Sequence, residues 1–144
     1  MKPHAEVEEI WPGDGRVRVL GLVHGLDAEG GLESLGEWRA ALVLREPAGP
    51  ELDYPATVRG KRFELSVPIG DLIAPQAPDK GVWDLYLRAG DRRLRVGRRL
   101  DDIRDKASIM VFPAQLIPVD EGFVHVRPRY TVNENVSIDY WYGP

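Results

Sequence analysis

The residues best suited to acid–base or metal chemistry are three histidines, His4, His24 and His125, and no two stand at an i, i+2 or i, i+4 spacing. Metal ligands usually arrive in such local pairs, because a single turn or strand then fixes both nitrogens. The acidic run Asp27-Ala28-Glu29-Gly30-Gly31 alternates carboxylates ahead of glycine. It lacks the ligand ladder and the closing bidentate glutamate of a calcium loop, and reads as a solvated loop. Of the serines, Ser34, Ser66, Ser108 and Ser137, none sits in a G-x-S-x-G elbow or an S-x-x-K motif. Phosphate-cradling patterns, G-x-G-x-x-G and the P-loop, are absent, and so is cysteine. The sequence therefore predicts no catalytic constellation, no metal and no cofactor.

Residues that bind by shape and charge are more prominent. Four tryptophans, Trp11, Trp38, Trp83 and Trp141, are each either a core anchor or a platform on which a sugar ring can stack. Trp83 alternates with apolar residues and belongs in the core. Trp141 stands between Tyr140 and Tyr142 at the end of the chain, where one of two alternating faces must point outward. Residues 88–106 hold eight arginines and lysines against four aspartates, a net charge of +4 in a chain of net charge −4. Arg93 and Arg95 alternate with Leu94 and Val96. They form the outer face of a hairpin strand, paired with nearby aspartates or, with Arg98 and Arg99, offered to an anionic polymer or an acidic partner. The candidate binding residues are thus Arg93, Arg95, Arg98, Arg99, Tyr140, Trp141 and Tyr142.

What must position them is an array of strands. Period-2 alternation recurs along the chain, and no window carries a capped amphipathic helix. Strands are predicted over 6–11, 16–23, 38–45, 54–59, 62–67, 82–88, 92–96, 108–112, 115–119, 123–130 and 136–142, with turn formers between them. Val17, Val19, Val23, Phe63, Leu65, Val67, Trp83, Leu85 and Leu87 face the core, as do Trp38, Ala40, Leu42 and Leu44. One helical turn is predicted around Asp71-Leu72-Ile73. This spacing predicts an all-β, immunoglobulin-like antiparallel β-sandwich occupying residues 1–144 as one domain. The alternative is a closed β-barrel enclosing a small apolar ligand, a cyclase-like enzyme of secondary metabolism being one such case. With 43% hydrophobic residues, the chain can fill a core of either kind. Its net negative charge argues against a general nucleic-acid binder. The missing cysteines and the lack of a signal peptide or a long apolar run predict a cytoplasmic protein without direct membrane insertion.

Three stretches carry a family resemblance: Gly81-Val82-Trp83-Asp84-Leu85-Tyr86-Leu87-Arg88, Arg93-Leu94-Arg95-Val96-Gly97, and Arg127 to Ile138 with Tyr130-Thr131 and Asn135. In pattern, residues 16–142 resemble the accessory β-sandwich domain appended C-terminally to actinobacterial family 2 glycosyltransferases and related teichoic-acid-type polymer transferases. Glu134 stands where that family usually has glycine, and Val136 where it has leucine. The D-x-D nucleotide-sugar motif of the transferase domain itself is absent. The resemblance implies a non-catalytic module that serves a glycosyltransferase domain, by holding a glycan or anionic polymer or by forming a homo-oligomer.

Overall fold

The computed structural model describes residues 3–45, 51–73, 80–97, 112–131 and 135–143. Arg98, Arg99 and nearly all of the strand predicted over 108–112 lie outside them. Among the described residues ten strands form: β1 (His4–Gly13), β2 (Arg16–His24), β3 (Trp38–Leu44), β4 (Glu51–Arg59), β5 (Arg62–Pro68), β6 (Lys80–Ala89), β7 (Arg92–Gly97), β8 (Gln115–Val119), β9 (Gly122–Tyr130) and β10 (Val136–Gly143). Two short 3₁₀ turns, Leu32–Leu35 and Ile69–Leu72, complete the regular structure, the second where the helical turn is predicted. The β1–β2 hairpin turns on Asp14 and Gly15, both at positive φ (54° and 74°). An Asp-Gly pair is favoured there because this turn matches the right-handed twist of the flanking strands.

The all-β class expected from the strand pattern is what the chain adopts, and its ladder closes on itself. Strands β3, β4, β5, β2, β1, β7 and β6 follow one another round a ring, and β6 returns to β3; β10, β9 and β8 extend from β6 in that order. Two corners make closure possible. β4 pairs with β3 through Glu51–Pro55 and with β5 through Ala56–Arg59. One edge of β6 pairs with β10 over 80–84 and with β7 over 86–89, so this edge forks. The ring is sealed by a short parallel rung, Ala5 opposite Val96 and Glu6 opposite Gly97.

Alternation fills the interior. Val17, Val19, Val23, Ala40, Leu42, Val67, Leu85 and Leu87 are fully buried, and Trp38, Leu44, Phe63, Leu65 and Trp83 nearly so. The two buried indoles each donate a hydrogen bond of 2.9 Å to a 3₁₀ turn, Trp38 to the carbonyl of Leu32 and Trp83 to that of Leu72. A seven-stranded ring of this kind is about wide enough for its own side chains. The core residues named from the sequence face its interior, and the closure is that of the barrel in the alternative reading.

Candidate binding site

Paired residues on neighbouring strands share a face of the sheet, so register decides which side chains meet. In the β9–β10 hairpin, Trp141 stands opposite His125 and Asp139 opposite Arg127; on its other edge β10 sets Trp141 against Lys80 of β6. A row running β9, β10, β6 therefore lies on the outer face. The His125 imidazole stacks on the Trp141 indole, with ring centroids 5.0 Å apart and planes 6° from parallel. The Arg127 guanidinium lies 5.1 Å from the indole centroid. Both come from β9 and pack against the indole, which fixes a half-buried ring in one orientation.

Beyond the indole opens a cleft of about 480 Å³ lined by Arg45, Lys80, Gly81, Asp139, Tyr140 and Trp141. Tyr140 faces inward and is 3% exposed. Its ring packs on Gly81, where an added Cβ would stand only 2.5 Å from Tyr140 Cε1. Among the described residues two buried polar atoms of this cleft have no hydrogen-bond partner, the Tyr140 hydroxyl and Oδ1 of Asp139. Buried polar atoms are nearly always paired, and leaving one unpaired costs about 1–3 kcal/mol. The Asp139 oxygen is an acceptor on the outer face with Trp141, whereas the Tyr140 hydroxyl belongs to the inward face. Burial pushes the Tyr140 phenol up, so it remains a protonated donor at neutral pH.

The charges of the cleft are unevenly matched. Arg45 pairs with Asp84 at 3.0 Å and Arg129 with Asp139 at 2.6 Å. Lys80 in the cleft and Arg127, which lies over the indole outside the cleft lining, have no carboxylate partner among the described residues. A second cleft, about 490 Å³ and lined by Glu8, Glu9, Glu64, Arg59 and Arg62 among others, carries three carboxylates against two guanidiniums and no exposed aromatic ring. The Trp141 cleft is the better-built site.

The structure disperses the other candidate residues. Tyr142 is 42% exposed but lies off the cleft, its hydroxyl donating to the carbonyl of Glu121. Arg93 is held by Glu51 at 2.8 and 2.9 Å and lies over the Tyr86 ring, 5.2 Å from its centroid. Arg95 is half-buried at the fork of β6. There Nη1 donates to the carbonyls of Leu85 (2.8 Å) and Val136 (2.6 Å), and Nη2 to Asp84 Oδ1 and Ser137 Oγ (both 3.0 Å). Burial lowers the Arg95 pKa more than the Asp84 carboxylate raises it. Burial also works against the Asp84 carboxylate, but hydrogen bonds from Arg45 and Ser137 with the charges of Arg95 and Arg45 outweigh it and hold its pKa below the usual range. Arg93 and Arg95 share the outer face with Trp141 through β6, since Tyr86 pairs with Arg95 and Lys80 with Trp141. Six residues of strand put about 20 Å between those two rungs.

Sequence reasoning missed His125, Arg127, Lys80, Arg45 and Asp139. The first two had a signal: strands joined through Asn133-Glu134-Asn135 set 125 opposite 141 once the turn is placed. Lys80 and Arg45 reach the site through pairings between distant segments, which carry no local signal.

The chain matches no family model and no curated protein. It does resemble solved structures. The crystal structure of S. aureus TarS superposes with a TM-score of 0.69 at 18% identity, covering 99% of this chain and 25% of that one. A structure of S. aureus TarS 217-571 gives a TM-score of 0.68 at 18% identity, covering 100% of this chain and 40% of that one. The chain thus spans well under half the length of the TarS chains it matches, and at this identity the likeness establishes the fold.

Proposed function

We propose that this chain is a non-catalytic accessory module of glycosyltransferase-linked polymer assembly, and that it holds an anionic glycan polymer in the Trp141 cleft. The observation that carries the reading is the conjunction of a braced indole, Lys80 in the cleft and Arg127 beside the indole, both without a carboxylate partner among the described residues, and the unpaired Asp139 oxygen. An aromatic ring, an acceptor for a hydroxyl and positive charge together suit a sugar or polyol chain bearing phosphate. The likeness to TarS, a teichoic acid glycosyltransferase, and the sequence resemblance to accessory domains of such enzymes point the same way. In this reading a glycosyltransferase domain is the partner, the ring's two sides correspond to an immunoglobulin-like sandwich, and the module works in the cytoplasm.

The test is binding of a defined poly(glycerol phosphate) oligomer by calorimetry, with neutral dextran as control. The intact protein should bind the oligomer with an affinity that falls as salt rises, and Trp141→Ala should weaken it at least tenfold. Equal binding by the Trp141→Ala protein, or none by the intact protein, would sink the reading.

One observation favours a second role, self-association. Among the described residues β8 pairs only with β9 and stands at the end of the extension, where Leu116, Val119 and Phe123 are 52%, 41% and 39% exposed. An apolar edge with no partner strand among the described residues invites a second copy, although Pro118 withdraws one backbone donor from it. Light scattering should then show a mass that rises with concentration and reverts on Leu116→Glu; a constant monomer mass would remove this role.

A further inference from the structure

The outer face of β1, β2 and β5 carries a feature that the Trp141 site does not use. Trp11 is 56% exposed, the most exposed large hydrophobic side chain among the described residues. It lines a cleft of about 310 Å³ with Gly13, Asp14, Arg16, Arg18 and Ser66, sharing no residue with the Trp141 cleft. Register places Trp11 opposite Arg18, and Arg18 opposite Ser66, so these side chains stand on one face across three strands.

The cleft is held stiffly. Arg16 Nε donates to Ser66 Oγ at 2.6 Å and Nη2 to the Ser66 carbonyl at 3.1 Å; Arg18 Nε donates to Glu64 at 2.6 Å. The turn beneath it, Asp14-Gly15, is clasped from a hundred residues away: the Gln115 amide accepts from the Gly15 N–H at 2.9 Å and donates to the Arg16 carbonyl at 2.8 Å. Anchoring a hairpin tip from a distant strand means that little order is lost when a ligand binds there. Among the described residues Arg16 has no carboxylate partner, so its charge is available, while Asp14 offers a carboxylate to hydroxyl groups.

We infer that Trp11 is the floor of a second, independent platform for a phosphate-bearing sugar or polyol, with Arg16 on the anionic group and Asp14 on a hydroxyl. A module with two such clefts takes two ligand units at once, and can bridge two polymer strands or grip two points of one. The inference stands on the Trp11 cleft alone and does not depend on the role proposed for Trp141.

The four tryptophans make the test direct by nuclear magnetic resonance, since each indole N–H gives a separate signal that Trp→Phe substitutions assign. Trp38 and Trp83 are buried and bonded to backbone carbonyls, so their signals serve as fixed references. On titration with glucose 1-phosphate the Trp11 signal should move saturably, and should still do so in the Trp141→Phe protein. Arg16→Gln should weaken that response about tenfold without changing the response of Trp141. Movement of the Trp141 signal alone would overturn the second platform while leaving the proposed function standing; movement of Trp11 alone would do the reverse. Equal movement with inorganic phosphate would also overturn the inference, because the ring would then contribute nothing.

Discussion

Trp83→Ala should destabilise the domain by about 3–5 kcal/mol, the loss expected when a fully packed indole is truncated in a core that cannot collapse around the gap. Trp83 is 2% exposed, flanked on its own strand by the buried Leu85 and Leu87, and its N–H satisfies the Leu72 carbonyl. The substitution removes the packing and orphans that carbonyl together. Chemical denaturation should show a much lower midpoint with an unchanged slope. Trp11→Ala is the control, since its ring is 56% exposed and its loss should leave stability nearly unaltered. Similar losses at the two positions would contradict the assignment of Trp83 to the core.

Arg95→Met should be the next most damaging change, at roughly 2–4 kcal/mol, because buried carbonyls left without a donor cost about 1–3 kcal/mol each. Where β6 changes partner from β10 to β7, the carbonyls of Leu85 and Val136 receive the Arg95 guanidinium. Lysine should recover little, since a point charge cannot span both carbonyls and Asp84 as a planar fork does. The same node predicts a pH dependence. The folded-state pKa of Asp84 is depressed, so its contribution is fully present above its unfolded value near 4 and is lost as pH falls through the depressed value. Denaturation midpoints between about pH 2 and 7 should show that decline, and Asp84→Asn should flatten it. A pH profile unchanged by Asp84→Asn would exclude the carboxylate as its source.

Arg95 also shows where sequence reading stops. Alternation placed it on the outer face of β7, and from there it read as a surface charge either paired with nearby aspartates or offered to a ligand; it does pair with an aspartate, Asp84. Its role comes from the fork in β6, which depends on β6, β7 and β10 meeting, and no local pattern records that meeting. The core was legible for the opposite reason. Val17, Val19, Phe63 and Leu65 obey a period of two within each strand, and one buried side is enough to read them. Hairpins were legible where two-residue turns set the register, as at Asp14-Gly15 and Gly60-Lys61. The seal between β1 and β7 was not, because a parallel rung joins residues about ninety positions apart. Trp141 lies between these cases: its outward face followed from alternation, its backing by His125 from the hairpin, and its Lys80 neighbour only from the assembled sheet.

The short seal between β1 and β7 bears on how the chain reaches its native state. Ala5 and Glu6 cannot find their partners until residues 96 and 97 exist, so the first hairpin must wait, that edge bare, until the chain has grown about ninety residues beyond them. Contacts of such long sequence separation place folding on the slow side, in the range of milliseconds to seconds. The charged residues Glu6 and Glu8 at that waiting edge would guard it meanwhile, since an edge that carries charge is a poor template for another chain.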